Sequence, residues 1–203
     1  MTTRIAVVSA GLSQPSSTRL LADRLAAATA RELGGEVEQD FIDLRDHARD
    51  LADNLLTGFP APSLRAAIDK VVTADGLIAV TPIFSASYSG LFKTFFDVLE
   101  PDSLAAMPVL VGATGGTERH SLALEHAVRP LFAYLRSIVV PTAVYAASTD
   151  WGANGADQAL NNRIDRAAIE FSALLLGATA TRPSDPYTDT TPFEDLLAAN
   201  LSH

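Results

Sequence analysis

Short apolar runs alternate along the chain with longer stretches whose apolar positions recur every three or four residues. Residues 5–9, β-branched and apolar, predict a first strand. Residues 18–33 follow with Leu20, Leu21, Leu25 and Ala28 on one helical face and a stop at Gly34-Gly35. Residues 37–44 alternate apolar and polar positions and predict a second strand. Residues 45–62, of mixed charge with Gly58, Pro60 and Pro62, predict mainly a loop. A helix over 63–73 with Ser63 as its cap comes next, then a third strand over 76–80. Pro82 is expected to turn the chain into a loop of mainly small or polar residues, and a helix over 90–99 starts near Ser89. Residues 109–113 predict a fourth strand, 121–135 a long helix interrupted or shaped by Pro130, and 138–145 a fifth strand in which Pro141 marks an edge or a bulge. After a loop over 148–157, residues 160–176 predict a last helix. The segment from Gly177 reads as a turn-rich tail with a short helical signal over 193–199.

Strands alternating with helices of ten or more residues imply parallel strands joined by crossover helices. Five such units predict one α/β domain over residues 1–203: a flavodoxin-like, doubly wound five-stranded parallel sheet of order 2-1-3-4-5 with helices on both faces. The 203-residue length suits a single core. No apolar stretch reaches the roughly 18 residues of a membrane span, and Met1-Thr2-Thr3-Arg4 runs into a strand without the apolar core of a signal peptide. With no cysteine in the sequence, disulfides and thiolate chemistry are excluded, and the expected compartment is the cytoplasm. A formal charge of −9 opposes nucleic-acid binding. It leaves room for one phosphate held by local amides and hydroxyls.

In this topology the loops after strands one, three and four share one edge of the sheet, where such folds bind ligands. The first, Ser9 through Gln14 to Arg19, is rich in hydroxyls and opens a helix, so it offers unpaired N–H groups, O–H donors and the charge of Arg19. The second, Pro82 to Tyr88, combines free amides and hydroxyls with two aromatic residues and suits a flat heterocycle. Phe92, Phe95 and Phe96 recur at helical spacing behind it and are assigned to the core. Lys93 and Asp97, four apart, suit a surface ion pair. The third loop places Gly115-Gly116 directly after a strand, letting the backbone approach a planar ligand. No metal-ligand spacing and no catalytic triad is visible.

The segments Thr81-Pro82-Ile83-Phe84-Ser85-Ala86-Ser87-Tyr88-Ser89-Gly90-Leu91-Phe92-Lys93, Ala113-Thr114-Gly115-Gly116-Thr117 and Glu125-His126-Ala127-Val128-Arg129-Pro130-Leu131 give the chain a resemblance, over residues 5–144, to the NAD(P)H-dependent FMN reductases. The likeness extends to the sulfonate-assimilation reductases and to those partnered with luciferase-like monooxygenases. It implies an FMN phosphate on Ser9, Ser16, Ser17 and Thr18 with Gln14 nearby. It implies an isoalloxazine edge on Pro82, Ile83, Phe84, Ser85 and Tyr88, and a pyrimidine end facing Thr114, Gly115, Gly116 and Thr117. The first loop departs from the Gly-Ser-x-Arg form of many relatives.

The resemblance further implies hydride transfer from nicotinamide C4 (NADPH or NADH) to flavin N5, with the cofactor supplying the redox chemistry. No catalytic side chain is then required. Backbone amides around residues 115–117 would stabilise the charge that develops. Arg119 and His120 are candidates for anchoring the nicotinamide nucleotide. In some relatives the helix after the third loop carries a π-bulge, matched here at His126, a possible modulator at a subunit interface that favours FMN release. Reduced FMN would pass to a monooxygenase partner, from a homodimer or homotetramer. The rival readings are a flavodoxin-type electron carrier and a quinone or azo reductase that keeps FMN as a prosthetic group. Trp151 is assigned to packing, and His47 and His203 to no role.

Overall fold

The computed structural model describes residues 2–151 and 156–177. His203 and the helical signal at 193–199 lie outside the described residues. The strands are β1 (Thr3–Ser9), β2 (Val37–Asp43), β3 (Gly76–Phe84), β4 (Ser87–Tyr88), β5 (Pro108–Gly115), β6 (Ile138–Val139) and β7 (Val144–Ala147). The helices are α1 (Ser17–Leu33), α2 (Ala48–Thr57), α3 (Pro62–Val72), α4 (Gly90–Asp97), α5 (Arg129–Tyr134) and α6 (Ala156–Gly177). The parallel sheet runs β2-β1-β3-β5-β6, with β7 also on β5 and β4 folded antiparallel against β3. With β6 and β7 taken as one interrupted strand, this is the flavodoxin-like order expected from the sequence.

The period-two alternation of side chains builds two cores. Ala6, Val8, Leu77 and Ala79 face one side of the sheet, where α2, α3, α4 and α5 add Leu51, Leu64, Phe92, Phe95 and Phe132. Ile5, Val7, Ile78 and Val80 face the other, covered by Leu21 and Leu25 of α1 and by Leu160, Ile164 and Phe171 of α6. Phe92, Phe95 and Phe96 are fully or almost fully buried, as their spacing predicts. Phe96 meets Phe92 at 4.8 Å and Phe132 at 4.9 Å between ring centroids, edge-on to Phe132 and tilted against Phe92.

Four local expectations need correction. Residues 45–62 are not mainly loop: a 3-10 turn over Leu44–His47 leads into α2, driven by burial of Leu44 and Leu51 and ended by Gly58 in the left-handed conformation. Ser63 is not the cap of α3. Ala61 holds that position with Pro62 in the first turn, and the Ser63 hydroxyl instead donates to Asp50 at 2.6 Å. Pro82 does not turn the chain. β3 runs on to Phe84, with Pro82 opposite Thr114 at the far end of the β5 ladder.

The helix over 121–135 is interrupted, as one reading of Pro130 expects: a 3-10 turn over Glu118–His120 precedes it, and a π-turn over Leu124–Val128, containing His126 as the resemblance implies, leads into α5. Pro130 has no N–H to give to a continuous α-ladder. The fifth strand is split. Val139 pairs with Val109 and Val144 with Gly112, so the chain advances five residues there against three on β5. The break falls at Pro141, and because the excess is even, Tyr145 keeps the face of Val139.

Candidate functional site

The parallel register brings three loops to one sheet edge. Ser9, the last residue of β1, lies opposite Val80; Pro82 lies opposite Thr114, and Gly115 opposite Ala147. The first loop is closed by the cap of α1: Ser16 Oγ accepts from the Arg19 N–H at 3.2 Å. A β-carbon at Gly11 would fall 2.0 Å from that oxygen, so only glycine fits beneath the cap. Ser9 is 2% exposed, and its Oγ is buried without a hydrogen-bond partner. Such a group is costly unless something bonds to it. Gln14 and Ser17 are exposed, whereas Thr18 is buried and its hydroxyl shares a 2.8 Å hydrogen bond with that of Thr114. The first and third loops are thus joined directly. Arg19 is not free for a ligand: its guanidinium is held by Asp23 and Asp43 and lies over the Phe41 ring. A cavity of about 330 Å³ lies beside this loop, lined by Gln14, Ser16, Arg19, Asp43 and Arg45 among others.

The second loop is a tight hairpin. Phe84 pairs with Ser87 and Ile83 with Tyr88, leaving Ser85 and Ala86 as a two-residue turn at φ 48° and 69°. Both central residues at positive φ is the pattern of a type I′ turn, which glycine and asparagine normally fill. The hairpin is anchored from within the same segment. The Ser89 N–H donates to Thr81 Oγ1 at 3.1 Å, and Ser89 Oγ accepts from the Phe92 N–H at 3.2 Å, capping α4. Pro82 and Ile83 are buried, Tyr88 is half-buried against Phe92, and Phe84 is 47% exposed at the tip. Lys93 and Asp97 form the expected pair at 2.5 Å.

The third loop is anchored from a distance. Tyr145 on β7 donates its phenol to the Thr117 carbonyl at 2.8 Å, 28 residues back along the chain. A β-carbon at Gly115 would meet that phenolic oxygen at 2.1 Å. Around Gly116 there is open space, with nothing within 4 Å of the position a β-carbon would take. Thr117 caps the following 3-10 turn by accepting from the Arg119 N–H at 3.0 Å, and Arg119 and His120 are exposed.

Farther on, His126 lies exposed on the π-turn. Arg129 spans that turn: it holds both carboxylate oxygens of Glu125, at 2.8 and 3.1 Å, and donates to the carbonyls of Val140 and Pro141. The hydrogen bond from Arg129 holds the Glu125 carboxyl below its ordinary range. Sequence reasoning missed Tyr145. It also missed Asp150, which accepts from the Ala147 N–H at 2.8 Å and from Arg163 at 3.0 Å. Nothing near either residue in sequence marks it. Trp151 packs against the second core with the Arg24 guanidinium over its ring.

Three loops gathered at the carboxyl ends of parallel strands, on a sheet of order β2-β1-β3-β5-β6, make this an α/β protein of flavodoxin-like fold. Residues 3–152 match the model of the family described as NADPH-dependent FMN reductase. The chain is 37% identical to FMN reductase (NADPH) of Pseudomonas aeruginosa over 175 residues, 86% of this chain and 92% of that one. It is 35% identical to the NADH-dependent FMN reductase SfnF of Pseudomonas fluorescens over 172 residues, 84% and 88% of the two chains. The crystal structure of an oxidoreductase from Corynebacterium diphtheriae superposes with a TM-score of 0.83 at 42% identity, covering 87% of this chain and 98% of that one. The chain belongs to the NADPH-dependent FMN reductase family and is an oxidoreductase of FMN and a reduced nicotinamide nucleotide.

Proposed function

We propose that the three loops form one FMN site at which the chain catalyses reduction of FMN by NADPH or NADH, and that the reduced flavin is released to a monooxygenase. The observation that carries the reading is the buried, unpartnered Ser9 Oγ under a loop that opens α1. A phosphate there would accept from Ser9, from the Ser17 hydroxyl and from the first N–H groups of the helix, which favours an anion without a formal positive charge. Gln14 lies on the outer wall of this loop, and Ser16 and Thr18 shape it through the cap and the Thr114 contact. Pro82, Ile83, Phe84, Ser85 and Tyr88 would line one side of the isoalloxazine. Thr114, Gly115, Gly116 and Thr117 would face its pyrimidine end.

FMN supplies the hydride acceptor when bound. The protein's own part is to bind, orient and donate. Backbone amides of residues 115–117 would stabilise negative charge at the ring edge they face, in a fixed position and so without reorganisation. Arg119 and His120 would contact the nicotinamide nucleotide. The proposed assembly is a homodimer or homotetramer in the cytoplasm, and the reading gains support from Leu55, Leu56, Phe59 and Tyr134, all large and exposed. No described helix is long and apolar enough to cross a membrane. His126 on its π-turn is proposed to lie at a subunit interface and to favour release of FMN, since such turns recur at functional sites.

Steady-state oxidation of NADPH and of NADH with free FMN, FAD and riboflavin, beside the spectrum of the purified protein, tests the reading. Catalytic turnover with excess free FMN by a nearly colourless protein is expected. A yellow protein that reduces quinones and ignores free FMN would point to the prosthetic-group enzyme instead. Unchanged FMN affinity and turnover in His126→Ala would remove the role given to that residue.

A further inference from the structure

We infer that Tyr145 is a positioning residue for the flavin, a clamp whose phenol fixes the backbone of residues 115–117 in the conformation that receives the ring. The inference rests on the FMN reading of the site and adds a residue that no motif marks.

Three observations carry it. The phenol makes a single directed bond, to the Thr117 carbonyl at 2.8 Å, and Thr117 is exposed, so the bond fixes a loop that little else covers. The same oxygen would lie 2.1 Å from a β-carbon at Gly115, so the loop backbone passes directly over the phenol. Tyr145 is itself held from several directions. Its backbone is in register with Ala113 and its carbonyl accepts from Arg163 at 3.3 Å, while the residue as a whole is 7% exposed within the first core. Asp150 ties Arg163 to the Ala147 N–H on the same strand.

The clamp therefore connects a rigid strand to a loop whose other side, at Gly116, is open. Beyond the split at Pro141, β7 pairs with the carboxyl end of β5, and Tyr145 reaches Thr117 from there. A tyrosine phenol is a protonated donor at neutral pH, and burial, reinforced by Glu118 and Asp150, pushes its value higher still. A loop ordered before binding loses less conformational freedom when the ligand arrives, and that difference is returned as affinity.

The test compares the full-length wild type, Tyr145→Phe and Gly116→Ala by FMN titration, by the KM values for FMN and for the nicotinamide, by Tm, and by amide hydrogen exchange of the flavin-free protein. Gly116→Ala probes the site reading, because its methyl group meets nothing in the protein and would meet a ring lying there. The expected result for Tyr145→Phe is an FMN Kd and a KM for FMN raised about tenfold, with an unchanged KM for the nicotinamide. Faster exchange should be confined to residues 115–118. If Gly116→Ala weakens FMN binding while Tyr145→Phe matches the wild type in Kd and exchange, the clamp is refuted and the site reading stands. Exchange accelerated across the whole sheet in Tyr145→Phe would also refute it, as a packing role. Wild-type FMN affinity in Gly116→Ala would overturn the site reading and the clamp with it.

Discussion

The second and third loops leave neighbouring strands, paired at Pro82 and Thr114, yet they are held in opposite ways. The second is closed by its own sequence: Thr81 receives the Ser89 N–H and Ser89 caps α4, a span of eight residues. It keeps its shape as long as that segment folds. The third has no such internal lock beyond the Thr117 cap: Thr114 at its base is tied to Thr18, and residues 115–117 borrow their rigidity from Tyr145 on another strand. A locally closed hairpin is a rigid floor. A loop held by remote hydroxyls is adjustable by a single substitution, which makes it the more sensitive of the two to change.

The comparison breaks most sharply at Gly115. Gly115→Ala places a methyl group against the Tyr145 phenol, 2.1 Å from its oxygen. Overpacking of this kind costs about 1–3 kcal/mol, so a Tm lower by roughly 5 °C and loss of FMN binding by more than about tenfold are expected. The next ring atom is 3.2 Å away, so adding Tyr145→Phe should restore much of the Tm. Equal losses in both backgrounds would mean that the phenol does not set the loop.

Thr81→Val is the corresponding break in the second loop. It keeps shape but leaves the buried Ser89 N–H without its acceptor, a loss of about 1–3 kcal/mol that denaturant unfolding would measure. Because the anchor is local, the exchange of residues 115–117 should stay at the wild-type rate. Ala86→Gly has the opposite sign. Ala86 sits at φ 69°, where glycine is relaxed, and a gain of up to about 1 kcal/mol in unfolding free energy is expected.

The smallest effect is a pH dependence. The Tyr145 phenol is raised in the folded state by burial, Glu118 and Asp150. Its contribution is therefore complete below the unfolded tyrosine value of about 10 and lost as pH rises through the folded one. The Tm difference between wild type and Tyr145→Phe should stay constant through neutral pH and narrow only above about pH 10. A difference that already changes between pH 6 and 8 would assign the effect to another group.

How much of this was legible follows the same division. The alternation of strands and helices, the core assignment of Phe92, Phe95 and Phe96, and the meeting of three loops at one edge all depend on periodicity and on topology, which the chain states locally. The start of α4 near Ser89 was readable for the same reason. The hairpin was not, because Ser85-Ala86 lacks the glycine or asparagine that normally announces such a turn. α2 was hidden by mixed charge, since its burial comes only from Leu51 and Asn54 and its shape from tertiary packing. Tyr145 was invisible because its partner lies 28 residues away and the register that joins them depends on the two-residue excess at Pro141. The buried Thr18–Thr114 bond, spanning 96 residues, was hidden likewise: each threonine was legible as a site residue, their contact was not.

The most direct test of the account is amide hydrogen exchange of the wild-type protein with and without saturating FMN. Protection is expected in three separated stretches, 9–18, 82–88 and 114–117, with little change on α3 or β2. Protection centred elsewhere, or in only one of the three stretches, would contradict a single flavin site built from all three loops.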